Sequence, residues 1–171
     1  IRSITYFCNP KYPLEEKILQ KAGTFLADAK SAYEAAGYEV QTVRLATIPF
    51  PRLLGEENIE KLPALTGQLA DIAKQLNIGY FSLGPALPEM PRSYEVIPDA
   101  IFVSKDAFFG GVMADKTRGL DLAAIHACAP EHPDLPPGLI EGALAGSIQA
   151  LAAECVFLVA TAPQARQLWP L

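Results

Sequence analysis

Hydrophobic and polar positions in this chain follow two different periods in turn. Short apolar runs occupy residues 2–8, 38–46, 78–83, 107–113 and 155–161, and each ends or is followed by Gly, Pro, Asn or Thr before the next segment. Strands that alternate with helices form mainly parallel sheets. We therefore predict an α/β fold with about five mainly parallel strands, built either as a half-barrel or as a doubly wound sheet.

Between the predicted strands, apolar residues recur every three or four positions, which is the spacing of helices with one buried stripe. The predicted helices cover residues 14–36, 56–76, 93–104, 120–129 and 138–154. Pro63 is expected to divide the second of them, because proline removes a helical hydrogen bond.

The second predicted strand, residues 38–46, alternates more clearly than the others between apolar and polar side chains. That pattern is typical of a half-exposed strand, and we expect it to lie near an edge of the sheet. Arg44 lies within it, where a charge is either exposed at an edge or directed toward a site. The exposed interpretation is favoured.

Composition restricts the classes of protein that need to be considered. The 171 residues, 50% of them hydrophobic and 19% charged, suffice for one domain with a sizeable core, and we expect residues 1–171 to form that single domain. A net charge of −5 argues against a nucleic-acid partner. No apolar run approaches the roughly 20 residues of a membrane span, so no membrane association is expected. Three scattered cysteines, Cys8, Cys128 and Cys155, fit reduced thiols and a cytoplasmic location.

Polar candidates follow the third and fourth predicted strands. Ligands of parallel sheets bind at the carboxyl ends of the strands, and consecutive parallel strands are usually neighbours. We therefore predict that Ser82, Gly84, Asp115 and Arg118 converge on one cleft that binds a small anionic ligand. Arg118 can hold a carboxylate or phosphate through two parallel hydrogen bonds. The turn at Gly84 is expected to expose backbone donors.

Catalytic roles are assigned to Asp115, as an acid, a base or a metal ligand, and to Asn9, which ends the first strand. Each assignment has a structural alternative. Asp115 and Arg118 can instead belong to a helix cap and a solvated charge run, and glycines can serve turn geometry alone. For Cys8, the interpretation as a small core residue is favoured over that as a nucleophile.

No motif specifies a reaction or a cofactor. The chain lacks the glycine patterns that bind phosphates and the cysteine and histidine spacings of zinc sites, and whether it binds a metal stays open. Two functions remain: an enzyme acting on a small anionic metabolite at the strand ends, or a non-catalytic ligand-binding or regulatory module that uses the same cleft.

Residues 1–5, 38–47, 82–85 and 111–115 together resemble the bacterial and archaeal family called domain of unknown function 711. The resemblance covers roughly residues 1–129. It implies a fold similar to the α/β barrel of glycyl radical enzymes, with half-barrels of parallel strands, and it implies no activity. Members of the family are longer, which implies that this chain is an N-terminal portion or a shortened member.

A half-barrel leaves open edges and an apolar face that need to be covered. We therefore expect the chain to associate with another copy, as a homo-oligomer, or with a missing C-terminal half. The predicted contact elements are the small-residue helix at 138–154 and the tail at 168–171.

Overall fold

A computed structural model describes residues 1–115, 119–128 and 157–160 of the chain. The strands are β1 (Ser3–Cys8), β2 (Thr42–Pro49), β3 (Tyr80–Gly84), β4 (Ala107–Val112), β5 (Ala114–Asp115), β6 (Gly119–Leu120) and β7 (Phe157–Ala160). The helices are α1 (Glu16–Ala35), α2 (Phe50–Leu54), α3 (Leu62–Gln75), α4 (Arg92–Glu95), α5 (Ile97–Ile101) and α6 (Leu122–Cys128), and a 3-10 helix, Glu56–Lys61, precedes α3. No helix of these described segments is long and apolar enough to cross a membrane.

The main sheet grows in the order of the chain. Strands β1, β2, β3 and β4 are parallel neighbours in that order, and β7 pairs antiparallel with β4. The predicted α/β fold with mainly parallel strands is therefore confirmed. Right-handed crossovers that always step in one direction place their helices on one face, whereas a doubly wound sheet requires a reversal of strand order. The order of the described strands thus favours the half-barrel form, and closure into a barrel stays a prediction.

One face of the sheet, called the covered face here, carries the core. The register aligns Tyr6, Leu45, Phe81 and Ala107 in one row across the four parallel strands. This row packs with buried residues of the helices in one apolar cluster, among them Leu19, Leu26, Leu65 and Leu69. Burial of these side chains is the main favourable contribution to the fold.

The opposite face, called the open face, has a different composition. It includes the alternate residues Ser3, Thr5, Phe7, Thr42, Arg44, Ala46, Tyr80, Ser82 and Phe108. None of these side chains belongs to the apolar cluster of the described residues, and Phe7 is 77% exposed. The described helices therefore cover the sheet from one side.

The structure refines the prediction for the second strand in two ways. β2 lies near an edge, as expected, but it is not itself the edge strand, since it lies between β1 and β3. The polar side chains at alternate positions of β2 lie on the open face of the sheet, and this explains the alternation in its sequence. The strand also begins at Thr42, opposite Ser3, rather than at residue 38. Ahead of it, the Gln41 N–H donates to the Ile1 carbonyl at 3.0 Å.

Other boundaries differ locally. The region 56–76 divides at Leu62, just before Pro63, into the 3-10 helix and α3. The single helix predicted at 93–104 is two short helices, α4 and α5, separated at Val96. After β4 the chain forms the β5–β6 hairpin, and α6 begins at Leu122 rather than at residue 120. The helix predicted at 138–154 lies outside the described residues.

Candidate functional site

The segments that follow β3 and β4 leave the sheet together. The two strands are adjacent and parallel, so their carboxyl ends lie at the same edge. Beyond β3, the Ala86 N–H donates to the Gly110 carbonyl at 2.8 Å, and the Val112 N–H donates to the Ala86 carbonyl at 3.0 Å. The chain after Gly84 therefore runs alongside β4 toward Asp115.

Gly84 serves the packing of the sheet. A Cβ atom at this position would lie 2.5 Å from the carbonyl carbon and oxygen of Ile48 and from the nitrogen of Pro49. Real Cβ atoms do not approach backbone so closely, and both neighbours belong to β2. Only glycine therefore lets β3 pass so close to the end of β2.

The expectation that this turn exposes backbone donors is wrong. The Gly84 N–H donates to Thr47 Oγ1 at 3.1 Å, and the Leu87 N–H donates to Ser93 Oγ at 3.1 Å. The Ala86 N–H bonds the Gly110 carbonyl, and Pro85 has no N–H. Every backbone donor from residue 84 to residue 87 is therefore used within the protein.

Ser82 lies on the open face, in mid-sheet. It pairs with Ala46 of β2 and with Phe108 of β4, and its residue is half-buried. Because Ser82 precedes Gly84 by two residues, it lies one row below the strand end rather than in the loop.

Asn9 is separated from the other candidates. It follows β1, and three strand spacings of about 4.8 Å, or about 14 Å in all, lie between β1 and β4. Its exposed side chain accepts a hydrogen bond through Oδ1 from the Lys11 N–H at 3.0 Å. The amide oxygen of Asn9 thus stabilises the turn that follows β1.

The hairpin after β4 positions Asp115. Its backbone belongs to β5 and pairs with Gly119, whose φ of +72° is one that glycine adopts readily. The helix cap expected of this region is supplied instead by Asp121, whose Oδ1 accepts the Ala124 N–H at 2.9 Å. Arg118 lies outside the described residues, so its predicted convergence with Ser82 stays a prediction.

Cys8 packs half-buried against the apolar cluster on the covered face, which confirms its interpretation as a core residue. Burial disfavours the charged thiolate and raises the pKa of this thiol above its ordinary value. A thiol in that environment is a weak nucleophile at neutral pH.

The neighbours of Arg44 are the part of its environment that the sequence did not predict. The Nε of Arg44 donates to Thr42 Oγ1 at 3.3 Å, and its guanidinium carbon lies 5.8 Å from the centroid of the Tyr80 ring. Tyr80 in turn meets the Phe108 ring edge-on, with centroids 5.3 Å apart. The alternation of β2 did indicate that Arg44 faces away from the core, but its neighbours depend on pairing between distant segments.

Metal ligands are not clustered in the part of the chain that the structure describes. No group of three or more His, Cys, Asp or Glu side chains there could hold a metal ion.

Comparison with known proteins gives a family and no activity. The sequence model of the family described as uncharacterised ACR (DUF711) matches residues 1–131. No curated protein and no solved structure gives a significant match. The matched segment includes all four parallel strands and makes up most of the 171 residues. This protein therefore belongs to the uncharacterised ACR (DUF711) family.

Proposed function

We propose that this protein binds a small anionic metabolite at the edge where β3 and β4 end, and that it acts on this metabolite as an enzyme. The observation that carries the proposal is the shared edge: β3 and β4 are adjacent and parallel, and the chain after Gly84 runs alongside β4 toward Asp115. Ligands of parallel sheets bind at such edges.

Three side chains have roles in the proposal. Asp115 is the acid, base or metal ligand, and Arg118 is the clamp that holds the anion through two parallel hydrogen bonds. Ser82 contributes a hydroxyl from the row below. Gly84 contributes rigidity rather than donors, since its contact with Ile48 and the bond from its N–H to Thr47 hold the ends of β2 and β3 together.

The test begins with a thermal-shift screen of small anionic metabolites, with and without divalent metals. For any metabolite that raises the melting temperature, Arg118→Ala is expected to weaken binding at least about tenfold, the loss typical of one charge-assisted contact, with little change in the melting temperature of the free protein. Lys105→Ala is the control, because it removes an exposed positive charge just before β4, at the opposite edge of the sheet. Unchanged affinity in Arg118→Ala would overturn the proposed clamp.

A non-catalytic binding or regulatory module is the second candidate. It is favoured by the position of Asn9, one of the two residues assigned a catalytic role. The Oδ1 of Asn9 accepts a hydrogen bond within a local turn, and its strand β1 lies about 14 Å across the sheet from β4. Asp115→Asn separates the two functions: in an enzyme it abolishes turnover of the bound metabolite while binding persists. In a module, the unmodified protein binds the same metabolite and does not convert it.

Location and assembly are part of the same proposal. We place the protein in the cytoplasm because its three cysteines are scattered in the sequence. We also expect it to associate with another copy or with a C-terminal half. The contact elements proposed for this, residues 138–154 and 168–171, lie outside the described residues. Light scattering at several protein concentrations tests the association, and a monomer at high concentration would contradict it.

A further inference from the structure

We propose that two copies of this chain associate through the outer edge of β1, so that their main sheets join into one continuous sheet. The two β1 strands run antiparallel across a twofold axis, and the two α1 helices pack beside each other above them. The proposal rests on the association with another copy, and it gives that association a different contact surface from residues 138–154 and 168–171.

β1 is an edge strand that lacks the features by which such strands usually avoid pairing. Among the described strands β2 is its only neighbour, so the backbone groups on its outer side have no strand partner there. Residues Ser3–Cys8 include no charged side chain and no proline, and their register with β2 runs through all six positions without a bulge. Charges, prolines and bulges are the means by which natural proteins protect sheet edges. The outer edge of β1 is therefore suited to pairing with a further strand.

Exposed aromatic side chains lie on both sides of this edge. On the open face, Phe7 of β1 is 77% exposed. On the covered face, Phe25 of α1 is 52% exposed, although its ring lies against Tyr6 of β1 with centroids 5.3 Å apart. Aromatic residues are enriched in protein interfaces. Burial of both phenylalanine rings against another copy contributes favourably to association.

One flank of α1 lies beside the outer edge of β1. A Cβ on Gly23 would lie 2.9 Å from Leu76 Cδ2, at the end of α3, so the Gly23 side of α1 points toward the middle of the sheet. Phe25 is two residues further, about 200° around the helix, and points the other way. Lys21 and Asp28, four residues before and three residues after Phe25, lie on the same flank. This flank and the outer backbone of β1 are together called the β1 edge.

The charges of the β1 edge complement those of a second copy. Lys21 and Asp28 are exposed, and no ion pair among the described residues involves either of them. When two α1 helices run antiparallel with Phe25 at the twofold axis, Lys21 of each copy lies beside Asp28 of the other. Parallel helices in register would instead bring like charges together, which is unfavourable. The charge pattern therefore favours a twofold dimer.

The spacing of strands and helices fits the same dimer. α1 packs against both β1 and β2, so the joining of two β1 strands separates the two α1 axes by about two strand spacings, or about 9.6 Å. Packed helices have axes about 8–10 Å apart. Because Tyr6 contacts Phe25, one twofold axis near this pair serves the strands and the helices together.

The rest of the chain is attached at the other side of the sheet. α6, which ends just before residue 129, packs against β4, and β7 pairs with β4. Three strand spacings, about 14 Å, separate β4 from β1. A second copy, by contrast, brings an identical free strand edge directly to β1, and it is therefore the occupant that we propose.

The test combines sedimentation equilibrium of the full chain over a range of concentrations with hydrogen exchange of the β1 amides. A monomer–dimer equilibrium is expected. The β1 amides that exchange rapidly in the dilute protein are expected to become protected as the dimer forms, whereas the amides of β2 and β3 are protected at every concentration.

Charge reversal examines the helix layer of the β1 edge. Lys21→Glu and Asp28→Lys each bring like charges together twice in the dimer, and each is expected to weaken dimerisation at least about tenfold. An equimolar mixture of the two variants is expected to restore dimers, because every contact then joins opposite charges. The control Lys105→Glu makes the same change in charge just before β4 and is expected to leave dimerisation unchanged.

Phe7→Lys examines the strand layer. It gives β1 the charge that protected edge strands usually carry, and it is expected to weaken dimerisation at least about tenfold. Because Phe7 is 77% exposed, the melting temperature of the dilute monomer is expected to stay nearly unchanged.

Three results would overturn the proposal. These are a monomer at millimolar concentration, a dimer of unchanged affinity in Lys21→Glu and Phe7→Lys, and β1 amides that are equally protected in the monomer, since the chain itself would then cover the edge. The second result would leave residues 138–154 and 168–171 as the contact elements, so the two surfaces are distinguishable. Arg118→Ala is expected to leave the dimer intact, which separates this surface from the metabolite site.

Discussion

Gly84 shows how one residue without a side chain fixes the relation of two strands. Replacing it with alanine would force a Cβ into the backbone of Ile48 and Pro49 at 2.5 Å, where no flexible side chain can move aside. We expect Gly84→Ala to lower the free energy of unfolding by at least about 2 kcal/mol, since overpacking of this kind costs about 1–3 kcal/mol or more. Urea denaturation measures the change.

Gly67→Ala is the matched control for that substitution. Gly67 lies inside α3, and a Cβ there would be 3.5 Å from Val103 Cγ1, an ordinary contact. Alanine is the better helix former, so this variant is expected to gain about 0.5–1 kcal/mol. Equal stability of the Gly84→Ala variant and the unmodified protein would show that the strand ends are not packed as described.

The half-buried thiol of Cys8 gives a prediction about pH. Burial raises its pKa in the folded chain. Stability from the protonated thiol is therefore fully present below the pKa of the unfolded chain, about 8.5, and is lost as the pH rises through the folded pKa. In a variant without Cys128 and Cys155, we expect slow reaction with a thiol reagent at pH 7 and faster reaction only above pH 9. Rapid labelling at pH 7 would contradict the burial of Cys8.

Single residues mark the limit of what the sequence could predict. The periodicity of β2 indicated which of its side chains face away from the core, Arg44 included. That Arg44 meets Tyr80 depends on the register between β2 and β3. Tertiary packing sets this register between positions that are 36 residues apart in the sequence. The edge shared by Gly84 and Asp115 was predictable, because it needs only the rule that consecutive parallel strands are neighbours.

At the scale of elements, one buried hydroxyl organises the connection between β3 and α4. Ser93 is fully buried, and its Oγ accepts the Leu87 N–H at 3.1 Å and donates to the Met90 carbonyl at 2.6 Å. Ser93→Ala leaves the buried Leu87 N–H without its acceptor, whereas the Met90 carbonyl keeps the hydrogen bond from the Ser93 N–H at 2.8 Å. A buried group without its partner costs about 1–3 kcal/mol. We therefore expect a loss of stability of that size in chemical denaturation.

The control for this variant is Ser31→Ala, which changes an exposed serine in α1. Surface substitutions of this kind usually alter stability by less than about 0.5 kcal/mol. A loss as small in Ser93→Ala as in Ser31→Ala would mean that the connection does not depend on the buried hydroxyl.

Elements whose apolar pattern was long or strongly periodic were predicted almost to their ends, as β1, α1 and β4 show. The errors occurred where the outcome depends on a partner. Residues 38–41 have a strand-like pattern, but they face the chain before β1, where only Ile1 bonds them: its NH₃⁺ group donates to the Glu39 carbonyl, and its carbonyl accepts the Gln41 N–H. Conversely, β2 continues to Pro49 through a bulge, where proline is tolerated and a loop was expected.

For the whole molecule, the position of β1 at an edge of the sheet gives a prediction for hydrogen exchange. β1 has one neighbour in the described sheet, whereas β2 and β3 each have two. Unpaired backbone N–H groups exchange rapidly, so we expect about half of the β1 amides to exchange much faster than those of β2 and β3. NMR-detected exchange at low protein concentration measures this. Uniform protection along β1 would show that another chain, or another part of this one, pairs with it.

The order β1-β2-β3-β4-β7 also bears on how the protein forms during synthesis. Each strand pairs with the one that left the ribosome just before it, and the last described strand joins the most recent parallel strand. Within the described main sheet, no early strand has to wait for a late one to be inserted beside it. A nascent chain can therefore consolidate from β1 onward, with the outer edge of β1 and the newest strand as the edges of the described parallel strands that are exposed to wrong partners.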